Sequence, residues 1–309
     1  KRVAESDAVQ GALTPLANDE NRELEKCTPG AKKLTRCGKA PTIKGTQQTF
    51  NTDAKTISVD DFAGKVVLID FFAYSCINCQ RDAPYLVKWN ERYSDAGLQI
   101  IGIRSPEFAF EKSAKNLQSA IRKEGLKYPI AQDNKLSTWT NYRNRYWPAH
   151  YLIDANGTVR HISFGEGNYA ATEQMIRELL KDADPTLTLP DATEVTDQTP
   201  EVGSTTPETF LGSSKDKNFA GPGDYRPGVN AYAFPKQQPD DTFALRGDWK
   251  VDTQSATPQG SAGSVRLTYR ASEVRMVVAG TGTLRVQDES GKVREIQVSG
   301  TPKSYAVIE

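Results

Sequence analysis

Apolar and polar positions follow two different rhythms along this chain. "KVVLIDFF" (65–72) is a nearly continuous apolar run, the pattern of a strand buried on both faces. "LQIIGIRS" (98–105) repeats it. Between them, "QRDAPYLVKWNERYSD" (80–95) has helical spacing, with Leu86, Val87 and Trp89 to one side. "EFAFEKSAKNLQSAIRKEG" (107–125) predicts one amphipathic helix that stops at Gly125. "YPIAQD" reads as a short strand and "NKLSTWTNYR" (134–143) as a short helix. "AHYLIDANGTVRHISFG" (149–165) predicts two strands around a type I′ turn at Asn156-Gly157. "YAATEQMIRELLKDA" (169–183) closes the series as a helix. The order β-α-β-α-β-α-β-β-α predicts a central mixed sheet flanked by helices.

Ahead of this block, residues 40–64 read as a short strand, a turn and a hairpin-like lead-in. Residues 1–39 have weak periodicity and form an N-terminal extension, with a short helix at "DENRELEKC". The rhythm changes at Asp184. Residues 184–208 are rich in Pro, Thr and Asp, have no apolar period and read as a linker. From 209 to 309 apolar and polar residues alternate between frequent Gly and Pro, as in "SVRLTYR", "EVRMVVAG", "TLRVQDESGKVREIQVSG" and "SYAVIE". Short strands without a helix-period segment predict a β-sandwich. The expected domains are therefore 40–183 and 209–309.

Composition narrows the function classes. Lys+Arg and Asp+Glu are 39 each and interspersed, so nothing calls for nucleic acid or an anionic membrane as partner. No apolar run reaches the roughly 18 residues of a membrane-spanning helix. The chain starts at Lys1 without an initiator Met or a secretion signal. It is expected to be a processed protein or a piece of a longer one. Four cysteines in 309 residues are too few for a disulfide-built scaffold, so each needs its own explanation.

Cys76 and Cys79 stand two residues apart in "FFAYSCINCQRDAP". Zinc binding, a purely structural disulfide and redox chemistry compete for the pair. Zinc needs further ligands, and Cys27 and Cys37 lie in a different kind of segment. A disulfide closing so short a loop gains little stability. Position favours redox chemistry, because the pair follows a buried strand and opens a helix. Unpaired N–H groups and positive partial charge at a helix N-terminus stabilise a thiolate. Cys76, expected to be the exposed member, attacks a partner disulfide; Cys79, one turn on, resolves the mixed disulfide.

"LIDFFAYSCINCQRDAP" resembles the active-site stretch of the thioredoxin superfamily. Asp70, six residues before Cys76, matches a buried acid that assists proton transfer at the second cysteine. Pro84, five after Cys79, matches a helix-kinking proline. Pro148 in "YWPAHYLIDANG" matches a cis-proline that faces the cysteines, and Trp147 before it would offer backbone groups to a bound peptide. The insertion containing "KYPIAQDNKLSTWTNYR" resembles the TlpA/ResA group, which is extracytoplasmic. Ser75 in place of the usual Trp, and Ile77-Asn78 in place of Gly-Pro, depart from general thioredoxins. The Pro-x-x-x-Thr/Ser-x-x-Cys motif of peroxiredoxins is absent. The whole chain resembles the C-terminal ectodomain of the DipZ family, on "FFAYSCINCQR", "SPEFAFEK" and "TPETFLG". That resemblance implies an α/β thioredoxin-like fold with a TlpA/ResA-type insertion, then an all-β sandwich of the jelly-roll, carbohydrate-binding-module kind. It also implies a preceding CcdA-like transmembrane domain that tethers the chain outside the cytoplasm and passes it reducing equivalents.

Ile77 and Asn78 bring no charge beside the thiolate, so the expected potential lies nearer about −270 mV than about −120 mV, that of a reductant. Glu107, just past the second buried strand, is a candidate proton acceptor lining the site, or a helix-start acid. Cys27 and Cys37 are a candidate structural disulfide, or a relay toward a membrane domain. His150 is read as pointing along a strand and His161 as half-exposed, with no metal and no cofactor called for. Phe219, Tyr225, Tyr232, Phe234, Trp249 and Tyr269 are candidate sugar-stacking rings, or core. The function read here is an extracytoplasmic thiol–disulfide oxidoreductase that reduces client protein disulfides. The alternative is a cell-wall carbohydrate-binding or docking protein whose thioredoxin-like half is not catalytic.

Overall fold

The computed structural model describes residues 21–197, 199, 205–215, 218–260 and 263–308. Most of the N-terminal extension, 1–20, lies outside the described residues. Among those described, 21–199 and 276–305 belong to one compact unit, 205–275 and 306–308 to the other.

The first unit is organised on β2 (Val66–Phe72), in which all seven residues are buried. A continuous apolar run can only be satisfied at the centre of a sheet covered on both faces, and β2 is there. It pairs in parallel with β3 (Leu98–Arg104) and antiparallel with β5 (Ala149–Ile153). β4 (Ile130–Gln132) is parallel to β3, and β1 (Gln48–Phe50) is antiparallel to β4 at one edge. β6 (Val159–Phe164) is antiparallel to β5 at the other. The sheet order is β1-β4-β3-β2-β5-β6. The helices are α1 (Ile77–Tyr93), α2 (Ala114–Glu124), α3 (Ser137–Asn141) and α4 (Tyr169–Ala183). The chain runs outward from β2 through β3 and β4, then returns to β5 on β2's other side. Such a switch opens a crevice beyond the carboxyl end of the central strand, and Cys76 follows that end. Beneath it, Phe71 is fully buried with Trp139, Tyr142 and Tyr151 edge-on at centroid distances of 5.9, 5.4 and 5.6 Å.

Four local expectations are corrected. The lead-in is no hairpin: β1 is followed by a 3-10 turn at Val59–Phe62, capped by Ser58, and finds its partner in β4 far along the chain. The single helix over 107–125 is divided. A 3-10 turn, Ala109–Lys112, precedes Ser113, whose hydroxyl accepts from Asn116 N–H and starts α2. Gly125 ends α2 with φ 69°. The β5–β6 turn is not type I′, because only Gly157 of the Asn156-Gly157 pair has positive φ (75°). Asp154 sets the turn instead, its Oδ1 accepting 3.0 Å bonds from the N–H groups of Asn156 and Thr158. Finally, part of the 184–208 stretch packs on the sheet's helical layer. Leu187, Leu189 and Val195 lie against the core. Tyr85 donates to Thr196 O at 2.8 Å, and Thr193 N–H and hydroxyl donate to Glu173, both at 2.7 Å.

The short helix expected near residue 27 is a 3-10 turn, Arg22–Lys26. After it, Cys27 is joined to Cys37 by a disulfide with Cα atoms 5.4 Å apart. Residues 30–40 follow the outer edge of β6. Thr35 and Cys37 N–H donate to Arg160 O and Val159 O, and Val159 N–H donates back to Gly38 O.

Past residue 205 the described residues form strands and turns without a helix, consistent with an α/β domain followed by a β-sandwich. β8 (Thr242–Val251) is flanked by β10 (Ser264–Thr268) and β7 (Gly228–Tyr232), and also pairs with β9 (Ala256–Pro258). Its alternate residues Phe243, Leu245, Trp249 and Val251, with Tyr232, form a core. β11 (Val274–Val278), β12 (Gly282–Gln287), β13 (Val293–Val298) and β14 (Lys303–Ile308) complete the order, β12 and β13 as an antiparallel hairpin.

Candidate active site at the Cys76–Cys79 pair

β2 delivers the chain to the crevice, three residues turn it, and Cys76 becomes the N-cap of α1 with extended backbone (φ −70°, ψ 124°). No side chain caps the helix there, so Cys76 sits at the positive end of a helix whose first N–H groups lack a side-chain acceptor. Cys79 lies in the first turn, and its sulfur accepts from Ala73 N–H at 3.5 Å. Both thiols are unbonded. The expectation of an exposed Cys76 is corrected, since Cys76 is 8% and Cys79 5% exposed. The preceding turn residues, Tyr74 and Ser75, are buried as well. Burial, then the hydrogen bond with Cys76 and its charge, push the Cys79 thiol well above its ordinary range. Cys79 therefore holds its proton and needs a base to release it.

Asp70 is the nearby acid. It is 1% exposed, and its Oδ2 accepts from Tyr128 hydroxyl at 3.5 Å. Burial raises its pKa to about 8; His150 pulls it down, Asp82 pushes it up. Asp82, from α1, was not singled out by the sequence reading. Its Oδ2 lies 3.0 Å from His150 Nε2, while Asp70 Oδ1 lies 3.7 Å from the same nitrogen. His150 therefore turns into the crevice floor rather than along its strand. Asp70, Asp82 and His150 each place a donor atom within 4.8 Å of the others. The 3.0 Å contact is a hydrogen-bond length, so a proton satisfies the pair without an ion. His161 is buried as well, correcting the half-exposed expectation; burial and the charge of His150 lower its pKa to about 4.

The wall opposite is held by a second group that sequence reasoning missed. Glu111, fully buried, accepts from Ser75, Glu107 and Phe108 N–H. Arg104, fully buried at the end of β3, lies 3.7 Å from Glu111 and 5.5 Å from the centre of the Tyr74 ring. Glu107 joins this group through its backbone, and Glu111 is the buried carboxylate there. Two signals pointed to the pair: a charge closing an apolar strand, and a Glu three residues after Phe108, the spacing of a capping box.

β5 pairs Ala149 with Phe71, which brings Pro148 to the same end of the sheet as Cys76. The Trp147–Pro148 bond is cis. Trp147 Nε1 donates to Ser105 O at 3.0 Å, and Gly165 N–H donates to Pro148 O at 2.8 Å. The following residue, Glu166, receives Arg81 of α1 in a two-pronged ion pair, both contacts 2.7 Å. Arg81 also donates to Asn78 Oδ1 at 2.7 Å.

Cys37 pairs with Val159, at the opposite end of the sheet from Phe164 and Pro148. Five strand steps from Val159 to Phe164, at about 3.3 Å each, put that disulfide roughly 16 Å along the sheet from the Pro148 end, which favours the structural-staple reading of the bond. The candidate sugar-stacking rings are mostly structural. Tyr232 and Trp249 are core, and Phe219 and Tyr225 pack on it. Phe234 carries Arg246 and Arg266 at 4.9 and 4.5 Å from its centre.

Known proteins match this chain over long stretches of sequence. The model of the AhpC/TSA family matches residues 38–162, and that of the thioredoxin-like C-terminal domain matches 206–309. Protein DipZ of Mycobacterium tuberculosis is 47% identical over 299 residues, 96% of this chain. The chain carries a DipZ-like thioredoxin-family domain. It spans 43% of the length of that DipZ, and the same share of DipZ from Mycobacterium bovis. The thiol-disulfide oxidoreductase ResA of Halalkalibacterium halodurans is 26% identical over 129 residues, 42% of this chain and 68% of ResA. Among solved structures, a thiol-disulfide isomerase of Corynebacterium glutamicum is 26% identical, with 46% of this chain and 96% of the isomerase covered at a TM-score of 0.40. No helix among the described residues of this DipZ-like chain is long and apolar enough to cross a membrane.

Proposed function

We propose that the chain is a thiol–disulfide oxidoreductase that reduces client protein disulfides outside the cytoplasm. The observation that carries this reading is Cys76 at an uncapped helix N-terminus, with Cys79 one turn on and Asp70 buried nearby. Cys76, as thiolate, attacks one client sulfur, and the other leaves as a thiolate that takes a proton from solvent. Cys79 then gives its proton to Asp70 and attacks Cys76 sulfur. The Cys76–client bond breaks, and the second client thiolate departs with its electron pair. The client gains two electrons and the Cys76–Cys79 pair loses them. The Trp147–Pro148 segment forms one side of the client groove. The chain spans under half of the DipZ relatives. A CcdA-like transmembrane domain elsewhere in the longer protein tethers it to the membrane and re-reduces the pair.

The test is the reduction potential of Cys76–Cys79 with Cys27–Cys37 left intact. A value near about −270 mV supports a reductant, and one near about −120 mV makes the chain a disulfide donor. Cys76→Ser must abolish disulfide reduction; retained reduction overturns the reading.

A further inference from the structure

His150 is the member of the crevice floor for which the exchange reaction, as written above, has no use. It is 3% exposed and comes from β5, between Asp82 of α1 and Asp70 of β2. Asp70 Oδ1 and Asp82 Oδ1 are both buried without a hydrogen-bond partner. Two such carboxylates cannot both stay ionised in a low-dielectric interior without a cation. The groups acting most strongly on Asp70 are His150, Asp82, Tyr128 and Glu124, and His150 is the only cation in that set. On the remaining sides, Trp89 sets its ring edge-on to the imidazole with centroids 6.4 Å apart. His161 of β6 is held neutral. Tyr169 of α4, its phenol pushed up by burial and by Asp82, adds no charge.

We propose that His150 is a positioning residue for the thiol exchange. Its imidazolium, lodged between Asp82 and Asp70, keeps the Asp70 carboxylate able to accept the proton that Cys79 must lose. The proposal rests on the thiol–disulfide reading and deepens it. Burial works against a charged His150, but the charge and hydrogen bond of Asp82, and the charge of Asp70, outweigh it and hold its pKa up at about 9. The imidazolium in turn pulls the Asp70 pKa down to about 8 from the higher value that burial alone would set. With its pKa at about 8, Asp70 is ionised in a minority of molecules at pH 7, and taking the cation away shrinks that minority further. Fewer molecules then have a vacancy for the Cys79 proton, and the second step of exchange slows while the first proceeds. A structural His would affect both steps alike.

The test follows one turnover of the reduced chain with 5,5′-dithiobis(2-nitrobenzoate). The first nitrothiobenzoate released reports attack by Cys76, the second reports resolution by Cys79. In His150→Gln the pH midpoint of the second phase is expected to rise by about one unit, an approximately tenfold slower phase at pH 7, with the first-phase midpoint moving less. An unchanged second-phase midpoint, or equal slowing of both phases without a midpoint shift, overturns the proposal. Ring ¹⁵N shifts of the wild-type chain test it without a variant. His150 charged and His161 neutral at pH 7 supports it, and a neutral His150 overturns it. Failure of wild type to release either thiolate would instead defeat the thiol–disulfide reading, and the proposal with it.

Discussion

Glu111 Oε1 accepts two hydrogen bonds from one residue, Ser75, at 3.1 Å from its N–H and 3.0 Å from its hydroxyl. A carboxylate thus fixes the residue immediately before Cys76, and buried Arg104 balances its charge. Glu111→Leu leaves Arg104 buried and unpaired. It is expected to cost about 3–5 kcal/mol in urea unfolding, and to broaden the Cys76 resonances as the preceding turn loosens.

Stability should fall as the pH rises from about 6.5 to about 9. Asp70 binds its proton more tightly folded (pKa about 8) than unfolded, and so does His150 (about 9, from 6.5). For both, the folded state holds the extra proton, and its stabilisation is lost as pH climbs through the folded pKa. His161 has the opposite sign, but its window closes at its unfolded value of 6.5. Asp70→Asn removes the first contribution, about 2 kcal/mol between pH 6.5 and 8. Urea midpoints at those two pH values should lie closer together in the variant than in wild type.

Cys27→Ser/Cys37→Ser opens a loop with a sequence separation of 10. The expected loss is about 3 kcal/mol. Because that disulfide sits at the far end of the sheet from the crevice, the Cys76–Cys79 potential should not move. Unfolding curves and a redox titration of the same double variant check both halves.

Arg81→Ala releases Glu166 and Asn78 together. Charged hydrogen bonds of this kind are worth about 1.5–3 kcal/mol, so a measurable loss of stability is expected. With Asn78 no longer held by its carbonyl oxygen, the dipeptide between the cysteines relaxes and the potential should shift. A thermal melt with an equilibrium redox titration checks the pair of effects.

Elements whose apolar pattern matches their burial were legible beforehand. The β2 run is buried throughout, and the helix expected at 169–183 has those limits. Cys76, Cys79 and Asp70 could be singled out because their spacing along one strand and one helix is local, whereas Pro148, far along the chain, was singled out by resemblance. The rest depends on register between distant strands. Nothing near His150 in sequence reveals Asp82, 68 residues away. The pairing of β5 with β2 and the facing turn of α1 bring them together. Glu111 was hidden for a similar reason: a Glu in a polar, helix-like stretch reads as solvated until the 3-10 turn swings it inward. The β5–β6 turn misled because Asn-Gly suggests type I′, whereas the Asp154 carboxylate, two residues earlier, dictates the geometry.

Residues 30–40, clasped by the Cys27–Cys37 bond, occupy the open side of β6, and the opposite border of the sheet is β1, only three residues long. A border strand with free N–H and C=O groups invites another chain to zip onto it. Here one border is already taken and the other is too short to template much. On the proposed reading, in which the chain holds other chains' sulfurs, such borders leave little for a partly unfolded client to zip onto.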